Sequence, residues 1–184
     1  AIAGFDLLQR PIEARQRLAF VPDEPHLFDH LTALDHLILF SRLYGVADGP
    51  TRAEAILADA GLHDQRLSFP GELSRGMKQK LVIACALLHR PEALVLDEPL
   101  TGLDPAAMRR MKRTVSDTAA AGASVIVSSH MLHLVEEVCD RVLIVSHGKS
   151  VLEGTLEEIR TQLPDVDADA DLETLFLKAT GGDQ

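Results

Sequence analysis

The sequence predicts an α/β domain built on a parallel sheet, with three helices inserted between the first strand in the chain and the second. Three observations support this. Apolar runs of strand length occur at 18–21, 93–96 and 124–128, too short for helices of their own. Between 32 and 90, apolar residues recur at helical spacing in three successive segments. From Glu92 onward strands and helices alternate, the order of a parallel sheet with helical crossovers.

Taken in order, Leu18-Ala19-Phe20-Val21 is a strand that stops at Pro22, and Pro22-Asp23-Glu24-Pro25-His26 is an acidic loop held by two prolines. Thr32 is suited to cap a helix carrying Leu34, Leu37, Ile38 and Leu43, which Gly45 ends. Thr51 opens a second helix, with Ala55, Ile56, Leu57 and Ala60 before Gly61. A third starts near Ser74 and aligns Met77, Leu81, Ala84, Cys85 and Leu88. Ala93-Leu94-Val95-Leu96 follows, an apolar run that predicts a strand buried on both faces. Asp104-Pro105 combines an N-cap with proline at the first helical position, ahead of an apolar face of Met108, Met111, Val115 and Ala119 closed by Gly122. Ser124 to Ser128 is the next strand, and 131–138 a helix. His147-Gly148-Lys149 is the turn of a hairpin between 141–145 and 150–152. A helix at 155–163, an acidic linker at 164–171 and a short amphipathic helix at 172–178 complete the chain.

Composition narrows the function classes. With 184 residues, 46% hydrophobic and 25% charged, the chain is long enough and apolar enough for a sizeable core. A formal net charge of −10 gives no electrostatic reason to expect nucleic acid as the main partner. No apolar run approaches the roughly 20 residues of a spanning helix. Cys85 and Cys139 stand alone, in no metal or redox spacing.

Three motifs offer chemistry. Asp97 and Glu98 end the strand at 93–96, and open parallel sheets gather their ligands at such carboxyl ends. Taken alone, Asp97-Glu98-Pro99 suits a solvated turn as well as a metal site. A carboxylate pair there could hold Mg²⁺ and polarise a water. Leu73-Ser74-Arg75-Gly76-Met77 opens the third helix, where unpaired N–H groups and the positive dipole end favour an anion. An ordinary serine cap with a solvated basic face fits the same pentapeptide. Ser128-Ser129-His130 closes the following strand, which places His130 toward the same rim as Glu98. His130 and His133 with Glu136 lack the full zinc-helix pattern.

Read together, these stretches resemble the nucleotide-binding domain of ATP-binding cassette (ABC) transporters: a signature segment, a Walker B strand, a D-loop at Thr101-Gly102-Leu103-Asp104 and a switch histidine, in that order. Met77, Lys78 and the ending Leu172-Glu173-Thr174-Leu175-Phe176-Leu177 resemble the branch that serves ABC-2-type exporters. The resemblance implies a P-loop NTPase (RecA-like) core at 1–26 and 91–163, an α-helical subdomain with the signature at 27–90, and a linker and terminal helix at 164–184. It implies ATP and Mg²⁺. Ser74, Arg75, Gly76 and Met77 would touch the γ-phosphate of a nucleotide held mainly by a second nucleotide-binding subunit, expected to be another copy. Asp97 would hold Mg²⁺, Glu98 would orient the hydrolytic water as general base, His130 would stabilise the γ-phosphate, and Asp104 would bridge the subunits. Asp23 falls where the family has a glutamine that also serves the metal, with a shorter, charged side chain. The helical subdomain would dock on a membrane permease, placing the chain in the cytoplasm, peripheral to the inner face of the cell membrane.

A domain of this kind also uses Gly-x-x-x-x-Gly-Lys-Ser/Thr ahead of the strand at 18–21. The 184 residues contain none: Gly148-Lys149-Ser150 has Leu143 where the first glycine is required. The expectation is an amino-terminally truncated domain, lacking its first strand and P-loop and inactive in isolation. Two alternatives keep other classes open: a non-catalytic partner whose signature completes another subunit's site, and a soluble ABC ATPase, which the short acidic chain favours less.

Overall fold

The computed structural model describes residues 1–163, 166–167 and 169–181. These form two compact units, Ala1–Ser128 and Ser129–Gln184.

The first unit opens with a tight bridge between Ile2 and Phe5. The guanidinium groups of Arg10 and Arg17 stack on the Phe5 ring at 4.6 and 4.2 Å. A short helix, α1 (Pro11–Arg15), precedes the first strand and was not foreseen from the sequence. Strand β1 (Leu18–Val21) enters the acidic loop at Pro22. Helices α2 (Ala33–Leu43), α3 (Gly49–Asp59) and α4 (Arg75–Leu87) then intervene before β2 (Ala93–Asp97). Helix α5 (Pro105–Ala120) carries the chain over to β3 (Ser124–Ser128). The strands pair in the order β1-β2-β3, all parallel. Parallel neighbours cannot be joined by tight turns, so the helices are the crossovers that this topology demands.

Local chemistry explains most boundaries. Thr32 caps α2 in a reciprocal capping box with Asp35, and Ser74 accepts the Met77 N–H at 3.2 Å to start α4. Helix α3 begins at Gly49, two residues before the expected start at Thr51, because Pro50 suits a first helical turn. Gly49 is buried, and a Cβ there would come within 2.7 Å of the Ser41 Cβ. The three inserted helices share one apolar cluster: Leu37, Leu57, Leu62, Leu81 and Leu88 are at most 1% exposed, with Leu27 and Met77 packed against its edge. His36 lies inside this block with both ring nitrogens engaged, Nε2 accepting the Phe28 N–H and Nδ1 against the Thr32 carbonyl.

The sheet departs from expectation in one respect. β2 is not buried on both faces. Leu94 and Leu96 are covered, but Ala93, Val95 and Asp97 are half-exposed. Val95 lies in register with Phe20 and Ile126, which are 57% and 64% exposed. One face of the sheet therefore packs while the other presents an apolar row to solvent. On α5, Ala107, Met111 and Val115 form the buried stripe, and Ala119 lies exposed rather than in the apolar face.

The second unit contains α6 (Leu132–Val138), the antiparallel pair β4 (Val142–Ser146) and β5 (Lys149–Gly154), α7 (Leu156–Gln162) and α8 (Leu172–Thr180). The hairpin turns on two residues, His147 and Gly148, both with positive φ; Lys149 belongs to the strand instead. Thr155 makes a capping box with Glu158, and Asp171 caps α8 by accepting the Thr174 N–H. Val135, Ile144 and Leu172 centre its apolar core. Of the acidic linker expected at 164–171, Pro164, Asp165 and Ala168 lie outside the described residues, as do Gly182, Asp183 and Gln184.

Candidate functional site

The carboxyl ends of β2 and β3 meet in register, Asp97 opposite Ser128. The Ser128 hydroxyl donates to Asp97 Oδ1. That contact orients the Asp97 carboxylate; the sequence placed Ser128 at its strand end but gave it no role beside Asp97. The signal was present in their equal places at the ends of adjacent parallel strands.

Glu98 turns the chain out of the strand. Its φ is +47°, the left-handed region, and proline follows it. A side chain there costs about 1–2 kcal/mol relative to ordinary backbone. Two backbone hydrogen bonds hold it: the Glu98 N–H donates to the Ser128 carbonyl at 2.9 Å, and its own carbonyl accepts the Thr101 N–H at 3.2 Å. Strained, over-determined backbone of this kind concentrates where a side chain must be aimed. Both carboxylates are half-exposed at the strand end.

The first turn of α4 packs on the loop after Glu98. A Cβ added to Gly76 would stand 3.4 Å from the Gly102 carbonyl, in van der Waals contact, so the α4 start lies directly against the backbone of that loop. Gly102 has φ +74°, which favours glycine, and the Arg75 side chain passes beside it, Cδ 3.5 Å and Nε 3.6 Å from where a Cβ would stand. Arg75 then reaches Asp23, its guanidinium 3.4 Å from Oδ1. The sequence places these residues in three separate motifs; the fold brings Asp23, Arg75, Gly76 and Gly102 together. Ser74 and Arg75 are exposed, and Met77 is half-buried against the helical cluster. Gln79, one turn beyond Arg75, is 2% exposed, and neither atom of its amide has a hydrogen-bond partner among the described residues. Its burial went unrecognised because a glutamine in a basic helix start reads as surface.

Asp104 caps α5, accepting the N–H groups of Ala106 at 2.9 Å and Ala107 at 2.8 Å. The Ala107 N–H most of all holds its carboxyl below the usual value, with the Ala106 N–H, Lys80 and Arg110 acting in the same direction. His130 belongs to the second unit, exposed, just ahead of α6, its carbonyl accepting the Leu132 N–H.

The Asp97 carboxylate and the Ser128 hydroxyl offer oxygen donors, and Asp23 offers another carboxylate beside Arg75. That set suits a hard divalent cation such as Mg²⁺ and gives no foothold for a soft metal. No group of three His, Cys, Asp or Glu stands ready to hold a metal among the described residues.

The sequence profile of the ABC transporter family matches residues 3–101. ABC-type transporter ATP-binding protein EcsA of Bacillus subtilis is 34% identical over 182 residues, covering 98% of this chain and 73% of that protein. The chain belongs to the ABC transporter family. Within it, the Nod factor export ATP-binding protein I of Burkholderia orbicola is 35% identical over 156 residues, 84% of this ABC chain and 51% of that protein. The chain thus spans about half the length of that curated relative. A solved structure, described as that of an ATP binding subunit of an ABC transporter, superposes with a TM-score of 0.91 at 34% identity. It covers 97% of this chain, which in turn covers 75% of that one. The fold is therefore the P-loop NTPase core of ABC ATP-binding subunits with its helical insertion. No helix among the described residues is long and apolar enough to cross a membrane.

Proposed function

We propose that this chain is most of the ATP-binding subunit of an ABC exporter, which couples ATP binding and hydrolysis at a subunit interface to the work of a membrane permease. The observation that carries the proposal is the packing of the Ser74–Met77 turn on the loop that follows Asp97 and the left-handed Glu98. A helix start that favours phosphate and a strand end that offers two carboxylates are thereby held as one structure.

In this reading the core comprises 1–26 and 91–163, the helical subdomain 27–90, and the linker and last helix 164–184. Asp97, held by Ser128, and Asp23 contribute oxygen to Mg²⁺, which when bound neutralises phosphate charge. Glu98 accepts a proton from the attacking water. Ser74, Arg75, Gly76 and Met77 close over the γ-phosphate carried by a second copy, His130 stabilises the γ-phosphate of the chain's own nucleotide, and Asp104 meets the facing subunit. An export role is favoured by the Nod factor relative, which is an export ATP-binding protein. The subunit works at the inner face of the cell membrane, with the helical block at 27–90 turned to the permease.

The phosphate-binding loop is the part these residues do not supply, and without its backbone cradle and lysine most of the grip on a nucleotide is lost. The test is phosphate release from Mg-ATP by the P-loop-bearing gene product of which we take this chain to be a part. Glu98→Gln should lower turnover by about a hundredfold or more. The 184-residue chain alone should release nothing above that control. Unchanged turnover in Glu98→Gln would overturn the catalytic assignment of Glu98, and no turnover by the P-loop-bearing product would favour a non-catalytic partner subunit. Glu98-dependent turnover by the chain alone would overturn its inactivity.

A further inference from the structure

Arg75 is a cation in the first turn of a helix, where the positive end of the dipole disfavours it. The chain offsets that by giving it a counterion from 52 residues away: Asp23 lies 3.4 Å from its guanidinium. The stem passes beside Gly102 on the way, its Cδ and Nε 3.5 and 3.6 Å from where a Cβ on that glycine would stand. Both side chains are about half-exposed, 57% and 44%, so the pair can open without desolvating anything new. The two partners are also, on the function proposed above, destined for different nucleotides. Arg75 would serve the phosphate held by the facing subunit, and Asp23 the cation of its own.

We infer that Asp23 and Arg75 form a resting latch, and that its opening couples the two nucleotide sites of a dimer. While closed, the pair withholds a cation from one site and a carboxylate from the other. Phosphate arriving at either site's Arg75 releases Asp23 for the second site, and a cation claiming Asp23 releases Arg75 for the first. The pair is broken once, so the second ligand meets no such resistance, and binding at one site strengthens binding at the other by the same factor in both directions. An exposed pair of this kind sets the factor at up to about fivefold.

This inference rests on the ATP-binding reading, and the experiment separates the two. ATP affinity of the dimer-forming gene product is measured by fluorescent-nucleotide titration in EDTA, where no cation can involve Asp23. Asp23→Asn should tighten ATP up to about fivefold by freeing Arg75, Asp23→Glu should behave as wild type, and Arg75→Gln should weaken binding. In the Arg75→Gln background Asp23→Asn should do nothing. Tightening that persists in that background would reduce Asp23 to a general repulsion and overturn the latch, as would an Asp23→Asn variant no tighter than wild type. Absence of ATP binding by the wild-type protein with and without Mg²⁺ would instead overturn the function proposed above, and the latch with it.

Discussion

Helix α5 begins at the loop that follows Glu98 and α4 begins against it, and their first turns are finished in opposite ways. Helix α5 is closed by its own chain: the Asp104 carboxylate takes two backbone N–H groups and lies within the field of Lys80 and Arg110. Helix α4 is capped by a neutral hydroxyl through a single bond of 3.2 Å and carries Arg75 at its first position. An anion supplied internally satisfies the dipole of one helix. The other has only a neutral cap and a cation paired with Asp23 from a distant segment, and its first turn lies against the loop at Gly102. On the function proposed above, the difference fits α4, not α5, as the end that receives a foreign phosphate.

The contrast can be broken most severely in the helix bodies. Leu81 is fully buried in the cluster of the inserted helices. Leu81→Ala should cost about 3 kcal/mol in urea unfolding, more than any change to a helix start. A smaller loss on Leu81→Ala than on Ser74→Ala would show that the start, not the body, anchors α4.

Next in size is a substitution that makes α4 resemble α5. Ser74→Asp should raise stability by up to about 1 kcal/mol through a charged cap. It should also weaken ATP binding by the P-loop-bearing product about tenfold or more, since the anion site is then occupied from within. Stability and affinity moving together would contradict the assignment of α4 as the phosphate end.

The acid limb of the stability curve distinguishes the starts further. The carboxyl of Asp104 is depressed in the folded chain, chiefly by the Ala107 N–H, below an ordinary value of 3.8. The unfolded state therefore binds the proton first as pH falls, and Asp104's contribution, complete above that ordinary value, is lost as pH drops through the folded one. Asp104→Asn keeps a good cap without the titration, so urea midpoints measured between pH 6 and pH 2.5 should fall less steeply in the variant.

The smallest effect is chemical. Cys85, in the body of α4, is 3% exposed, and burial pushes its thiol up to about 12. Cys139 is half-buried and raised too, by burial first and by the neighbouring Asp140. A thiol-reactive dye should label Cys139 before Cys85 in the native chain, and labelling of Cys85 should track global unfolding.

Much of this was legible in the residues because the rules involved are local. Thr32, Ser74, Asp104 and Thr155 each cap the helix they were expected to start. Helix stops at glycine and the three parallel strands follow from patterns a few residues long. The misses were of two kinds. Helix α1 is five residues long, too short to show a periodicity, and α3 starts at Gly49 because proline outweighs threonine as a first-turn signal. The half-exposure of β2 could not be read from Ala93-Leu94-Val95-Leu96, since an apolar run states what a strand tolerates and not what covers it.

The sequence by itself determined the fold class, the family and the identity of the acidic strand end, because four ordered motifs of fixed spacing carry them. It placed Asp97 and Glu98 at a strand's end but left the turn between them undefined. Only the tertiary structure decided that Glu98 adopts a left-handed backbone, that Ser128 holds Asp97, and that Arg75 and Asp23 form a pair across 52 residues. Those facts depend on register between strands and on the close approach of two glycine-bearing turns. Neither leaves a mark within a window of neighbouring residues, since each arises from contacts between segments the chain brings together only on folding.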